Sequence, residues 1–436
     1  MIYDIAVIGG GPGGYSAALE AAKQGLSTVL FEKDLLGGTC LNRGCVPTKF
    51  LLHTSELYHR THDLSAFGIT ASDVKIDLLK AQQENNAVMD KLRSGLEQLL
   101  SDGKIKVISS VCTSVLSENA VMAGNEIYNA RNIIIATGSA PRPPFVSGAV
   151  TSDKLLKAET VPESLTVIGG GIVAVEFAWL FNNLGSKVSI RIRGERLLRK
   201  LDKELAVGVQ QLLKKNGVKI ETKCSPEALA ENNADVILSA AGRVPVLPVF
   251  GGASPETGED GGIIVDKFGQ TSVKGIYAVG DVISGSPQLA HVAMEQGRRA
   301  VQHIAGAVTD KAAAVISCIY TEPEIASVGM TEAQAKELGI QYVTAKQIMS
   351  ANARTLISNP ERGFIKLIAE KTSGKLLGAQ LMCERASDIV SELALAINSG
   401  LTADDMCQST HPHPSFCEAV YEAAEVLRNK LSVKEA

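Results

Sequence analysis

Residues 3–33 read YDIAVIGGGPGGYSAALEAAKQGLSTVLFEK. An apolar, β-rich run leads into Gly9-x-Gly11-x-x-Gly14, a helical pattern of small and apolar residues follows, and a second apolar run ends at Glu32. In that order the residues predict strand, tight turn, helix and strand. The glycines let the backbone approach a pyrophosphate, the amides at the helix N-terminus attract it, and the acid closing the second strand accepts hydrogen bonds from a ribose. A glycine triplet alone is a weak signal. Framed by both strands and the acid, this one predicts a dinucleotide-binding unit.

The pattern returns in residues 163–202, ESLTVIGGGIVAVEFAWLFNNLGSKVSIRIRGERLLRKLD, as Gly169-x-Gly171-x-x-Ala174. Two such units predict two dinucleotides. Glu32 stands 23 positions after Gly9, but the same step from Gly169 lands on Ile192, with Arg191, Arg193, Arg196 and Arg199 around it. Where a carboxylate would repel a ribose 2′-phosphate, an arginine accommodates it. The second nucleotide is therefore expected to be NADP(H) rather than NAD(H). Two further stretches suit such a chain: ARNIIIATGSAPRPP (130–144), a buried strand reaching Thr137 and Gly138, and TSVKGIYAVGDVISGSPQLAHVAMEQG (271–297), which puts Asp281 at a strand end before a helix starting near Ala290.

At 436 residues with 45% apolar content, several domains and a large core are expected. A net charge of −4 with no long run of like charges argues against a nucleic-acid partner. No basic region precedes the first apolar run, and the longest apolar run is too short for a span and contains Glu176, so no membrane association and a cytoplasmic location are expected. Of eight cysteines, those at 112, 224, 318, 383, 407 and 417 are scattered singly and are expected to be buried small hydrophobes. Cys40 and Cys45 differ: in GGTCLNRGCVPTK (37–49) they could be a disulfide, part of a metal site or two independent thiols. A regular helix would hold them too far apart for a disulfide, so a bridge requires a locally distorted segment.

Two glycine loops, the strands ending in ATG and GD, and Cys-x4-Cys together resemble the flavoprotein disulfide reductases, specifically the dihydrolipoamide dehydrogenases. The likeness extends to IYTEPEIASVGMTEAQAKELG (319–339), similar to the opening of that family's dimerisation domain, and to STHPHPSFCEAVYEAA (409–424), similar to its C-terminal base motif. No further Cys/His pair at ligand spacing accompanies Cys40 and Cys45, which leaves the metal reading without support. The resemblance implies a reversible Cys40–Cys45 disulfide, with Cys45 facing the flavin and Cys40 exchanging with substrate. It implies a Lys49–Glu176 pair near the flavin N5. It further implies that His413, oriented by Glu418, acts as acid and base across a homodimer interface. The FAD site would take Gly9, Gly11, Gly14, Glu32, Thr39, Lys49, Thr137, Gly138, Asp281 and Ala290. The nicotinamide site would take Gly169, Gly171, Ala174, Arg193, Arg199 and Gly242, and no metal is implied.

The implied fold is α/β: two Rossmann-like dinucleotide-binding domains and a C-terminal α+β dimerisation domain. The FAD domain is expected over 1–142 and 262–315, the NAD(P) domain over 143–261, and the dimerisation domain over 316–436. IRGERLLR (192–199) departs from the dihydrolipoamide dehydrogenases and looks like the NADPH-binding stretch of glutathione reductases. Leu19 and Glu20, where those reductases have arginines, and Leu96, where they have a tyrosine, instead suit a smaller apolar disulfide such as lipoamide, free or on the lipoyl domain of a multienzyme complex. The alternative is an NADPH-dependent reductase of another low-molecular-weight disulfide.

Overall fold

The computed structural model describes residues 1–62, 64–109, 112–231, 233–252, 254–307, 313–358 and 363–432. The chain begins as its sequence predicts, with β1 (Ile2–Ile8), α1 (Pro12–Lys23) and β2 (Thr28–Glu32). The redox segment forms α2 (Gly38–Arg43) and α3 (Cys45–Arg60), and a long α4 (Leu78–Asp102) follows, capped by Asp77. Next come β3 (Lys106–Ser109), β4 (Cys112–Ser117), β5 (Ala120–Ala123) and β6 (Glu126–Ile135). The sheet order is β3-β2-β1-β6-β5-β4. Its centre is parallel, and β1 and β2 are nearly continuous apolar runs because both faces are buried, one set of side chains clustering with Ala17 and Leu100 of the helices and the other with Val115 and Val121 of β4 and β5.

The chain leaves this sheet through β7 (Ser139–Pro141), and α5 (Ser152–Leu155) follows. A second parallel sheet then forms from β8 (Ser164–Ile168), β9 (Lys187–Arg191), β10 (Lys219–Glu221) and β11 (Val236–Ser239), in the order β10-β9-β8-β11. Its helices are α6 (Ile172–Asn183), α7 (Lys203–Lys215) and α8 (Pro226–Ala230). β12 (Arg243–Pro245) pairs antiparallel with β7, so exit and return run side by side. Val115 already donates to the Val249 carbonyl at 2.8 Å, and β13 (Ile276–Ala278) rejoins the first sheet beside β6 before α9 (Ala290–Ile304) packs on α1.

The remaining chain builds an antiparallel sheet from β14 (Ile316–Ile319), β15 (Glu324–Gly329), β16 (Tyr342–Ile348), β17 (Phe364–Glu370) and β18 (Leu376–Cys383), ordered β14-β15-β18-β17-β16. Its helices are α10 (Glu332–Glu337), α11 (Ala353–Ser358), α12 (Ala386–Ser399), α13 (Ala403–Met406) and α14 (Glu418–Ser432). One core cluster runs from Leu51 and Leu52 of α3 through Phe177 and Leu180 of α6 to Ile319 and Phe364, so the three parts share apolar packing. No helix among the described residues is long and apolar enough to cross a membrane.

The cysteine expectation needs correction. Cys383 is fully buried, whereas Cys224, Cys318, Cys407 and Cys417 are only partly so, because they sit at strand edges and element ends. The side chain of Cys112 lies outside the described residues.

Candidate active site

Cys40 and Cys45 form a disulfide with their Cα atoms 4.6 Å apart. The distortion that permits it is Gly44, which separates α2 from α3 at φ −141° and ψ −111°. A Cβ there would stand 2.9 Å from the Thr39 carbonyl oxygen and 3.3 Å from the Cys40 Cα, so the turn that brings the cysteines together needs glycine. Asn42 ties the segment down by donating to the Leu36 and Gly38 carbonyls at 2.9 Å. Cys45 is the more exposed of the two sulfurs' residues.

One turn into α3, Lys49 Nζ lies 2.9 Å from both carboxylate oxygens of Glu176 on α6. Glu176 is buried and also accepts the Tyr320 N–H at 3.2 Å, while the Tyr320 ring centroid lies 4.6 Å from Lys49 Nζ. Three parts of the chain thus converge on one ammonium. Tyr320 was missed in the sequence, although it lies in the quoted 319–339 stretch.

The two glycine loops are superposable in their hydrogen bonding. Gly9 donates to the Phe31 carbonyl at 2.8 Å and Gly169 to that of Arg191 at 3.1 Å, which makes Ile192 the positional counterpart of Glu32. Glu32 holds its carboxylate against the Gly10 and Asp34 amides at 2.7 and 2.9 Å; Ile192 is simply buried. Gly9 adopts φ +106° and a Cβ on it would drive into the Ala136 backbone. A Cβ on Gly171 would meet nothing within 4 Å, so that glycine leaves open the approach to the α6 N-terminus. The N-termini of α1, α6 and α9 carry no side-chain cap, whereas Asp202 caps α7. Uncapped amides behind open glycines suit the pyrophosphates of FAD and a nicotinamide nucleotide.

Around these loops, Thr137 donates to the Val246 carbonyl and Ser139 to Asp281 at 2.7 Å. Arg243 in turn donates to the Ser139 hydroxyl and carbonyl, both at 2.7 Å; burial lowers its pKa, and Asp281 works against that. Gly138 and Gly242 have positive φ just before β7 and β12, Thr39 lies in α2, Ala290 opens α9 and Ala174 is buried in α6. Arg191 pairs with Glu221 at 3.0 Å, and Arg196 wraps the carbonyls of Leu198, Arg199 and Leu201. Arg193 and Arg199 are exposed.

His413 and Glu418 meet with Nδ1 2.7 Å from Oε1, and Ser415 donates its N–H to the other oxygen at 2.8 Å. Those two donors, the Ser415 amide foremost, hold the Glu418 carboxyl below its ordinary range. Among the described residues Glu418 is the only hydrogen-bond partner of the His413 side chain, which is 74% exposed and free to meet a second molecule. The His411 side chain is 8% exposed and engages Glu392 at 3.1 Å. Glu20 and Leu96 are buried within the first unit, and Leu19 packs partly against its core.

Residues 3–297 match the pyridine nucleotide-disulphide oxidoreductase family, and residues 315–424 match its dimerisation domain. The chain belongs to this family. It is 38% identical to a dihydrolipoyl dehydrogenase of Bacillus subtilis, with 97% of this chain and 96% of that protein covered. Identity to one of Haloferax volcanii is 36%, covering 97% and 95%. The HOCl-induced flavoprotein disulfide reductase RclA of Escherichia coli has the same fold, with a TM-score of 0.86 at 27% identity over 97% of this chain and all of that one. The protein is an FAD-dependent oxidoreductase of the dihydrolipoyl dehydrogenase type, moving electrons between a pyridine nucleotide and a dithiol or disulfide.

Proposed function

We propose that the nucleotide is NADP(H) and that the substrate is a lipoamide-like disulfide or its dithiol. The observation that carries the nucleotide choice is the contrast between Glu32, held as a ribose acceptor, and Ile192, buried at the same position beside exposed Arg193 and Arg199. Lipoamide is supported by the relatives named dihydrolipoyl dehydrogenase. FAD, when bound, relays two electrons between nicotinamide and disulfide. Opening the Cys40–Cys45 bond with two electrons leaves Cys40 as the thiolate that attacks a substrate disulfide, forming a mixed disulfide and releasing a substrate thiolate. His413 of the partner subunit protonates that thiolate, and Cys45 then displaces the second substrate sulfur and restores the bridge. The reverse sequence oxidises a dithiol.

The division of labour in this reading is an FAD domain over 1–142 and 262–315, a nicotinamide domain over 143–261 and a dimerisation domain from 316. The pairing of β7 with β12 and the Val115–Val249 bond favour an earlier return to the FAD domain, near residue 245. Assaying the FAD-loaded enzyme with NADH and NADPH against lipoamide and glutathione disulfide tests both choices. Turnover with NADPH and lipoamide is expected to be fastest, and no lipoamide turnover with either nucleotide refutes the substrate reading. The exposed arginines also suit an NADPH-dependent reductase of another small disulfide, which a panel of disulfides would identify.

A further inference from the structure

A polar row crosses the five-stranded sheet from edge to edge: register pairs Ser317 with Ser327, Ser327 with Gln380, Gln380 with Lys366 and Lys366 with Lys346. Paired residues share a face. This face meets α7, where Gly208 comes so close that a Cβ would stand 2.8 Å from Met382 Sδ. At the centre of the contact Lys366 is 4% exposed, with Nζ 3.1 Å from Asp202 Oδ1, 3.3 Å from Glu204 Oε2 and 2.9 Å from Glu332 Oε1. Lys346 takes the other Glu204 oxygen. Burial pulls the Lys366 pKa down, but the surrounding carboxylates outweigh it and the net shift is upward.

Asp202 ends the arginine segment. Its Oδ1 both caps α7, accepting the Glu204 N–H at 2.9 Å, and accepts from Lys366. Upstream, Leu198 sits at φ +51° and donates its N–H to the Gly170 carbonyl at 2.7 Å, while Arg196 spans the carbonyls of 198–201. The loop is therefore fixed at the second glycine motif, stapled internally by Arg196 and anchored at its end by a lysine from another sheet. Arg193 and Arg199 are left facing solvent.

We infer that Lys366 is a positioning residue for nucleotide recognition: by pinning Asp202 it holds the 193–202 loop in the shape that presents Arg193 and Arg199 to a ribose 2′-phosphate. This rests on the NADP(H) reading above. A loop ordered before binding does not have to be ordered by the ligand, so losing the anchor weakens the interactions the loop makes.

The test is calorimetric titration of the FAD-loaded enzyme with NADP+ and with NAD+. The variants are Lys366→Met, Asp202→Asn, Lys366→Arg and the reference pair Arg193→Ala/Arg199→Ala. Asparagine still caps a helix, so Asp202→Asn removes the ion pair while sparing α7 and serves even where the buried methionine prevents folding. Lys366→Met and Asp202→Asn are expected to weaken NADP+ by about tenfold and NAD+ by no more than about twofold, the loss being one of preorganisation. Lys366→Arg is expected to restore much of the affinity. If the arginine pair is selective for NADP+ but both anchor variants leave NADP+ binding unchanged, or weaken both nucleotides equally, the positioning role is overturned and the NADP(H) reading stands. If the arginine pair weakens both nucleotides equally, that reading falls and the inference falls with it.

Discussion

The Lys49 ammonium is shared by both oxygens of Glu176 at 2.9 Å across 127 residues of sequence, joining the helix that begins at Cys45 to the helix of the second glycine loop. Glu176 is only 4% exposed and Lys49 33%. Lys49→Met strands a buried carboxylate and is expected to cost up to about 3 kcal/mol of stability by urea unfolding, and to slow turnover. Adding Glu176→Leu should return most of the stability without returning the turnover. Recovery of both would reduce the pair to a structural contact.

Glu418 is held below the usual carboxylate range first by the Ser415 amide and then by His413. It therefore stays ionised to a lower pH than an ordinary carboxylate, and loss of activity through loss of the orienting charge is expected to set in at correspondingly lower pH. His413→Gln should lower kcat by about 100-fold or more, the scale of a lost general acid and base, and Glu418→Gln by less. Steady-state rates from about pH 3.5 to 9 check both.

Burial pushes the Cys318 thiol up to about 12, with Glu324 adding to the effect and Lys49 opposing it, and burial raises Cys383 further. A raised thiol pKa keeps the proton on at pH 8, and alkylation needs the thiolate. Brief iodoacetamide treatment of the reduced enzyme at pH 8, read by peptide mass spectrometry, should label Cys40 and spare Cys318 and Cys383. Labelling of Cys318 at a rate near that of Cys40 would contradict this.

Arg193 and Arg199 are the two arginines of their segment that are exposed, while Arg191 and Arg196 are committed to Glu221 and to main-chain carbonyls. Arg193→Ala/Arg199→Ala should raise KM for NADPH by at least about tenfold, in keeping with the loss of two charge-assisted bonds, and change KM for NADH little. Arg196→Ala should likewise weaken NADPH more than NADH, by loosening the loop that presents those two arginines.

Both dinucleotide units were legible because each is written in about 30 consecutive residues, and the step of 23 positions correctly located Ile192 opposite Glu32. Lys49–Glu176 and His413–Glu418 were legible through motif resemblance, and the structure joins both pairs. The contacts that sequence reading missed are tertiary. Tyr320 over Lys49, Arg243 on Ser139 and Lys366 on Asp202 join segments more than 100 residues apart, and no local period predicts such meetings. The burial of Glu20 and Leu96 is likewise decided by what packs on them, which sequence spacing does not carry.

The central claim is that electrons from a nicotinamide nucleotide reach the Cys40–Cys45 disulfide. Its most direct test is to mix the FAD-loaded enzyme anaerobically with one equivalent of NADPH, quench with an alkylating agent and map the modified cysteines. The expected result is near-stoichiometric loss of the Cys40–Cys45 bridge with label on both residues. A reduced flavin with the bridge intact would contradict the claim.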